Sequence, residues 1–254
     1  LVFSTETGEP LAIMPDGVIQ RMRVGATSAL GTHYLAQKDA RTAAIIGSGW
    51  QAGAQLMGLL AVRPEIDTVR VFSPNPVNVV SFCDQVREQF SQDFCVVGSV
   101  AEAAKGADIV LCATSSIDSV FEPEYFEPGM HVGSIKPAEI SRDSLEMADR
   151  VCVHLGHGKP ALVQADNLVV PDHSGGRGWE ISDTFDFSSC VTLPDLISGS
   201  VSGRSENDER TCFVNDLGLG LQFAVVAGVT LQLAESAGIG QALPTELFTQ
   251  IEHP

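Results

Sequence analysis

Short apolar runs alternate with longer segments of helical spacing over residues 42–156. Continuous apolar runs are typical of parallel strands buried on both faces, and the intervening segments are long enough for the crossover helices that such strands require. The pattern therefore predicts an α/β fold with a doubly wound parallel sheet. The predicted strands cover residues 43–47, 68–72, 94–97, 108–114, 130–135 and 150–155. The predicted helices cover residues 50–62, 76–90, 100–105 and 142–147.

The pattern changes after residue 156. Residues 157–210 are rich in Gly, Ser and Asp and weakly periodic, which predicts loops with one or two short helices, such as 193–197. Residues 215–237 are mostly apolar and stop at Gly238, which predicts one long helix. Because that helix is apolar on most sides and contains glycines, we expect it to be buried, in part at a subunit interface.

The turn between the first predicted strand and helix carries the most specific chemical signal, Gly-Ser-Gly-Trp-Gln-Ala at residues 47–52. Gly47 permits a tight turn, Gly49 lets backbone N–H groups approach a pyrophosphate, and the helix N-terminus favours the same anion. Ala52 replaces the third glycine of the dinucleotide-binding pattern, and we expect Trp50 to pack away from the phosphates. The turn predicts a Rossmann-type dinucleotide site; the alternative is an ordinary glycine-rich turn.

Composition and charge narrow the classes of function. The chain is 44% apolar and 19% charged, which is typical of a soluble globular protein, and neither a membrane-spanning run nor a leader is visible. A net charge of −17 argues against nucleic acid and anionic membranes as partners. It fits a high-salt or an ordinary acidic cytoplasmic protein, and we expect a cytoplasmic one. Leu1 opens a strand-like run, so we expect an N-terminal portion to be missing.

The cysteines and histidines indicate neither disulfides nor a metal site. No C-x-x-C spacing occurs among the six cysteines, and Cys95, Cys112 and Cys152 lie in predicted strands, where we expect them to be reduced and buried. The histidines lack acidic companions at ligand spacing. These histidines are His131, His154, His157 and His173.

Four stretches of this chain together resemble one family, the ornithine cyclodeaminase/mu-crystallin family of NAD(P)-dependent enzymes and binding proteins. They cover residues 7–12 with 23–29, 47–52, 129–135, and 203–204 with 211–218. The resemblance implies a Rossmann domain over residues 39–213 and a substrate and dimerisation domain, with N-terminal strands, over residues 1–38 and 214–254. It implies a homodimer that transfers hydride at a carbon bearing nitrogen beside a carboxylate, in a small amino acid or its imine.

The resemblance assigns Arg23 to the substrate carboxylate, which a guanidinium can hold with two parallel N–H groups so that the adjacent carbon is oriented toward the nicotinamide. Without the resemblance, a surface arginine in a Gln-Arg-Met-Arg run is the simpler interpretation. The cofactor residues lie at strand ends. They are Gly47, Ser48, Gly49 and Gln51 at the pyrophosphate, and Ala113, Thr114 and Ser115 at the nicotinamide ribose, where a serine-rich turn is the alternative.

The end of the second predicted strand is expected to select between NAD and NADP. An acidic residue there would bind the ribose 2′-hydroxyl and repel a 2′-phosphate. Ser73 and Asn75 follow the strand instead, with neither an acid nor an arginine beside them. The chain therefore permits either cofactor, with a slight lean to NADP.

The loop after the fifth predicted strand departs from the family. Ala138 aligns with the aspartate that family cyclodeaminases use on the substrate amine, which favours ketimine reduction over ornithine cyclisation. Glu139 and Lys136 are the local candidates for proton donor, although Glu139 could instead cap the following helix. Two other interpretations remain open. One is a non-catalytic NAD(P)-binding or inactive truncated homologue, and the other is an unrelated Rossmann dehydrogenase.

Overall fold

The structure, a computed structural model, describes residues 1–155, 185–244 and 248. The predicted loops within residues 156–184, together with His157 and His173, lie outside the described residues. The chain divides into two compact units: Leu1–Arg23 with Gly218–Pro254, and Val24–Leu217.

The described residues contain ten strands and seven α-helices, labelled in chain order. The strands are β1 (Val2–Phe3), β2 (Pro10–Ala12), β3 (Thr42–Ile46), β4 (Thr68–Phe72), β5 (Asp93–Val96), β6 (Ile109–Cys112), β7 (His131–Ser134), β8 (Arg150–Val153), β9 (Val191–Thr192) and β10 (Thr211–Val214). The helices are α1 (Asp16–Leu35), α2 (Trp50–Val62), α3 (Pro76–Arg87), α4 (Val100–Ala104), α5 (Arg142–Met147), α6 (Leu193–Ser198) and α7 (Gly220–Ala237).

The larger unit is built on a parallel sheet with the strand order β5-β4-β3-β6-β7-β10-β8-β9. All six predicted strands are present, with ends that differ by at most two residues, so the predicted fold class is confirmed. The sequence pattern missed β9 and β10. Strand β10 pairs with β7 on one side and β8 on the other.

Apolar side chains form a layer on each face of this sheet. On one face, Leu56 and Leu59 of α2 pack with Phe82 of α3 over the central strands. On the other face, Phe121 and Met130 belong to the apolar cluster that covers the sheet. With both faces covered, the strands are buried throughout the sheet centre, as parallel sheets require.

Helix α1 is 20 residues long and was not predicted. Its glycines and threonines lower its intrinsic helix propensity, and packing against α2 compensates. A Cβ atom at Gly25 would lie 2.4 Å from the carbonyl oxygen of Ala54, and one at Gly58 would lie 2.6 Å from the carbonyl oxygen of Gly25. This close contact ties the later part of α1 to α2, and residues 24–38 group with the larger compact unit. The division into a cofactor domain and a substrate domain stays a prediction.

The smaller unit contains the antiparallel β1–β2 hairpin, the start of α1 and helix α7. Helix α7 begins at Gly220, later than predicted, and ends at Gly238 in the left-handed conformation, where the sequence placed its stop. In the single chain, Ala227 alone is buried along this helix. Burial of α7 therefore depends on a partner chain and stays a prediction.

The cysteines are free, and Cys112 and Cys152 are buried in strands as predicted. Cys95 is only half-buried, because strand β5 forms an edge of the sheet. Among the helices of the described residues, none combines the length and the apolar character that crossing a membrane requires.

Candidate active site

The sheet has a topological switch point between β3 and β6. From β3 the chain continues to β4 and β5 on one side, whereas β6 and β7 lie on the other side. In doubly wound sheets the crevice at such a point, beyond the carboxyl ends of the strands, is where ligands bind. The residues predicted to bind a cofactor follow β3, β4 and β6.

Gly47 shapes the turn after β3. Its φ of +119° lies in the region that favours glycine, and its N–H group donates to the carbonyl oxygen of Phe72 at 2.8 Å. A Cβ atom at this position would lie 2.3 Å from the carbonyl oxygen of Ala113. Gly47 is therefore required both for the turn itself and for the close approach of the segments that follow β3 and β6.

The N-terminus of α2 is open toward this crevice. Gly49 is its N-cap residue, no side chain caps the helix, and a Cβ atom at Gly49 would meet nothing within 4 Å. The first N–H groups of a helix have no partner within the helix, so they are available to an anion. Ser48 is half-buried beside them, and the buried Oε1 atom of Gln51 has no hydrogen-bond partner among the described residues. The N–H groups and the Ser48 hydroxyl can donate to a pyrophosphate, whereas the Gln51 oxygen can only accept a hydrogen bond. Trp50, which was expected to pack, is 57% exposed.

Asn75 has a second role at the end of β4. Its Oδ1 atom accepts the N–H groups of Val77 at 3.0 Å and Asn78 at 3.1 Å and so caps α3. The Asn-Pro pair at the helix start is the sequence signal for this cap. With that oxygen committed, the amide nitrogen of Asn75 and the hydroxyl of half-buried Ser73 are the groups that could meet a ribose or its 2′-phosphate.

Thr114, which follows β6, is bonded to a buried carboxylate. Oε1 of Glu139 accepts the N–H group of Thr114 at 2.6 Å and its hydroxyl at 2.8 Å, and Oε2 accepts the N–H group of Ile135 at 3.0 Å. Burial raises the pKa of Glu139, and these hydrogen bonds oppose the increase. Glu139 thus joins the segments that follow β6 and β7. Ser115, next to Thr114, is exposed.

Lys136 is also buried and its ammonium group donates to the carbonyl oxygen of Ser116. The alternative that Glu139 caps α5 is wrong, because Ser141 caps that helix by accepting the N–H group of Ser144. The assignment of Glu139 and Lys136 as proton donors stays a prediction. Both side chains are bonded to the segment after β6.

Arg23 lies in the smaller unit with its guanidinium enclosed by two neighbours. Its Cζ atom is 5.0 Å from the centroid of the Phe223 ring, and a Cβ atom at Gly218 would lie 2.8 Å from Nη1 of Arg23. Burial lowers the pKa of the Arg23 guanidinium, which nevertheless stays charged at physiological pH. A guanidinium held in a defined plane suits a planar carboxylate.

Two polar residues that sequence reasoning left unassigned lie at the same sheet edge. Asn215 follows β10, and its Nδ2 atom donates to the carbonyl oxygen of Val24 at 3.2 Å and to the hydroxyl of Ser28 at 3.1 Å. His154 follows β8, and its Nδ1 atom lies 2.7 Å from the carbonyl oxygen of Leu217. The short apolar run of residues 211–214 is the signal that could have placed Asn215 after a strand.

Within the ranges that the structure covers, no group of three or more His, Cys, Asp or Glu side chains could hold a metal ion. His131 instead lies between two threonine hydroxyl groups in the core.

Comparison with known proteins supports the resemblance. The sequence model of the ornithine cyclodeaminase/mu-crystallin family matches residues 1–236. A Delta(1)-pyrroline-2-carboxylate reductase of Bacillus cereus is 30% identical over 243 residues, which cover 94% of this chain and 71% of that protein.

Solved structures give the same result for the fold. The Thermococcus litoralis Delta(1)-pyrroline-2-carboxylate reductase in complex with NADH and L-proline aligns with a TM-score of 0.80 and 28% identity, covering 95% of this chain and 72% of that one. An archaeal alanine dehydrogenase dimer with bound NAD aligns with a TM-score of 0.77 and 25% identity, with coverages of 95% and 72%. The neighbours that bind NADH and NAD therefore share this fold.

Proposed function

Because the chain belongs to the ornithine cyclodeaminase/mu-crystallin family, we propose that it is an NAD(P)-dependent oxidoreductase that acts on the C–N bond of a small amino acid or its cyclic imine. The observation that carries the proposal is the uncapped N-terminus of α2 at the switch point of the sheet. That site accepts an anion, and the relatives named above reduce an imine that carries a carboxylate or dehydrogenate alanine.

The cofactor would be held by residues after three strands. The turn after β3 would bind the pyrophosphate through backbone N–H groups, and the segment after β6 would contact the nicotinamide ribose. Bound there, the nicotinamide supplies or accepts the hydride. The donors of Ser73 and Asn75, with no acid beside them, support a slight preference for NADP.

Arg23 would bind the substrate carboxylate. Its guanidinium is backed by Gly218 and stacked on Phe223, so that a carboxylate meets donors that are already oriented. Preorganisation of this kind lowers the entropic cost of binding and restricts the orientation of the carbon next to the carboxylate. Reduction of a ketimine is favoured over ornithine cyclisation, because Ala138 stands where family cyclodeaminases carry an aspartate.

A non-catalytic NAD(P)-binding protein is the second candidate. The observation that favours it is that both candidate proton donors, Glu139 and Lys136, are buried and bonded within the chain. Nucleotide binding without turnover of any cyclic imine carboxylate would support this candidate over the enzyme.

A homodimer in the cytoplasm completes the proposal. Leu221, Val225, Val229 and Leu233 form an exposed apolar row on α7, which a second copy of the chain would cover. The free cysteines suit a reducing compartment.

Two measurements test the function. The first is a parallel fluorescence titration with NADPH and NADH, with Trp50 as energy-transfer donor; we expect saturable binding, tighter for NADPH. The second is nucleotide-dependent reduction of Delta(1)-pyrroline-2-carboxylate by wild type and by variants of Arg23. Arg23→Ala loses a bidentate charged contact, so its kcat/KM should fall by about 100-fold, mostly because KM rises. The kcat/KM of Arg23→Lys should lie between those of the wild type and Arg23→Ala.

Arg21→Ala is the matched control, since Arg21 lies in the same helix and the same Gln-Arg-Met-Arg run. It should retain the wild-type kcat/KM. Unchanged kinetics in Arg23→Ala would remove the carboxylate assignment, and failure of the wild type to bind either nucleotide would remove the proposed function as a whole.

A further inference from the structure

We propose that Glu139 is a positioning residue that holds the cofactor-contacting segment after β6 in place, with Lys136 as a second tie. The inference rests on the proposed function, because that function assigns the segment to the nicotinamide ribose. Glu139 and Lys136, the two candidate proton donors, both make hydrogen bonds to this segment.

The side chain of Glu139 holds the start of the segment. Its carboxylate accepts three hydrogen bonds, two from Thr114 and one from Ile135, and the residue has no exposed surface. An unpaired carboxylate in such a place would be very costly, whereas one that accepts several N–H and O–H groups is stabilised in its charged form. The ends of β6 and β7 are therefore joined through one side chain.

The main chain of the same residue holds the far end of the segment. The carbonyl oxygen of Glu139 accepts the N–H groups of Val120 at 2.9 Å and Phe121 at 3.0 Å, and Phe121 forms a parallel bridge with Ile140. Residues 115–119 are thus anchored to residue 139 at both ends. The ammonium group of Lys136 donates to the carbonyl oxygen of Ser116 and so ties the segment at a further point, between its two ends.

The anchored segment lies against the turn after β3, at the crevice where we propose that the nucleotide binds. The carbonyl oxygen of Ala113, one residue before Thr114, is the atom that a Cβ at Gly47 would meet at 2.3 Å. The phosphate-binding turn and the segment after β6 are therefore packed backbone against backbone, with no room for a side chain between them. A change at Glu139 should move Thr114 and Ser115 with respect to that turn and weaken nucleotide binding without removing any residue that contacts the nucleotide.

The test compares Glu139→Gln with Glu127→Gln. Glu127 offers a matched control, because its carboxylate also accepts a backbone N–H group, that of Gly106 at 3.1 Å, at an exposed site before β7. In the protein without nucleotide, Glu139→Gln should make hydrogen exchange about tenfold faster at whichever of the Thr114 and Ile135 amides then faces the amide nitrogen of the new side chain, because that nitrogen cannot accept a hydrogen bond. The Kd for NADPH or NADH should rise by a similar factor, and both quantities should stay unchanged in Glu127→Gln.

Faster exchange with an unchanged Kd would overturn the proposal, because Glu139 would then stabilise the segment without affecting nucleotide binding. Unchanged exchange and Kd would overturn it too. If Glu139→Gln does not fold, Lys136→Met provides the test: removing the tie to Ser116 should raise the Kd severalfold, and an unchanged Kd would count against the proposal. A wild type that binds neither nucleotide removes the proposed function and this inference together, whereas a wild type that binds only as well as its Glu139→Gln variant removes this inference alone.

Discussion

His131 lies wholly buried at the start of β7, between the hydroxyl groups of Thr32 and Thr211. The Thr211 hydroxyl donates to the carbonyl oxygen of Leu35, so it accepts from the Nδ1–H group of His131 at 2.9 Å, and Nε2 carries no proton. Burial, and then the charges of Arg204 and Arg63, lower the pKa of His131 to about 3. The imidazole therefore stays neutral in the folded protein at neutral and mildly acidic pH.

The neutral His131 predicts a loss of stability in acid. In the unfolded chain the imidazole takes up a proton as the pH falls below about 6.5, whereas the folded protein takes it up only near pH 3, so acid favours the unfolded state. Between pH 7 and pH 5 this single group should remove about 2 kcal/mol from the free energy of unfolding. Urea unfolding at the two pH values measures the loss.

His131→Gln supplies the control for this prediction, because it keeps hydrogen-bonding groups but cannot titrate. The pH dependence of its free energy of unfolding should be smaller than that of the wild type by the same amount. Equal pH dependence in the two proteins would contradict the assigned protonation.

At the scale of elements, the C-terminus of α1 is held by side chains from outside the helix. The guanidinium of Arg63 donates to the carbonyl oxygens of Thr32, His33 and Ala36, at 3.3, 2.9 and 2.9 Å. Arg204 donates to two further carbonyl groups at this C-terminus. Its backbone N–H group donates to the carbonyl oxygen of Tyr34, and its Nε donates to that of Leu35. Cations at a helix C-terminus also complement its dipole.

This end also explains one mark of the family resemblance. A Cβ atom at Gly203 would lie 2.2 Å from the carbonyl oxygen of Tyr34, so the Gly203–Arg204 pair can approach the helix end only with glycine first. The sequence marks this pair as part of the family resemblance. Its contact with the end of α1 does not follow from the sequence, because Tyr34 lies far from the pair along the chain.

Replacing Arg63 should destabilise the protein strongly. Arg63→Met keeps the length of the side chain but removes the guanidinium that donates to these carbonyl groups, which should cost about 2–4 kcal/mol of the free energy of unfolding. Arg142→Met is the comparison, since Arg142 pairs with Glu146 in an exposed i,i+4 ion pair, and it should cost less than about 0.5 kcal/mol. Similar midpoints for the two variants in urea would show that the Arg63 bonds contribute little.

At the scale of the molecule, the apolar row on α7 predicts an assembly. The side chains of Leu221, Val225, Val229 and Leu233 are between 52% and 70% exposed and recur every four residues, so they form one ridge along the helix. Size-exclusion chromatography with light scattering should find a dimer for the wild type and a monomer for Val225→Arg, since an unpaired arginine is costly to bury in an interface.

Val80→Arg tests whether the effect is specific to α7. Val80 is an exposed apolar residue on α3, so the substitution is chemically the same on a different surface, and the protein should remain a dimer. A monomeric wild type, or a dimeric Val225→Arg, would contradict the assembly.

The α/β class, six strands of the sheet and the glycine turn at Gly47 could be predicted from the sequence, because each depends on a pattern within a few residues. Periodicity marks a buried strand wherever the strand lies in the fold, and a turn with the φ of Gly47 favours glycine in any setting. The short apolar run of residues 211–214 could have marked strand β10 as well, but not its place in the sheet. Its position between β7 and β8 depends on pairing with strands that lie far away in the chain, which no local pattern contains.

The roles of the polar residues depended on the tertiary structure. The sequence identifies Glu139 and Lys136 as possible proton donors near a strand end. Their hydrogen-bond partners, Thr114 and Ser116, come from another loop. Arg63 directly follows α2 in the chain, whereas its partners lie at the end of α1, and no local pattern places that helix end beside it. Residue type and spacing determine which elements form, but which polar group is buried, and against what, is decided only when distant segments meet.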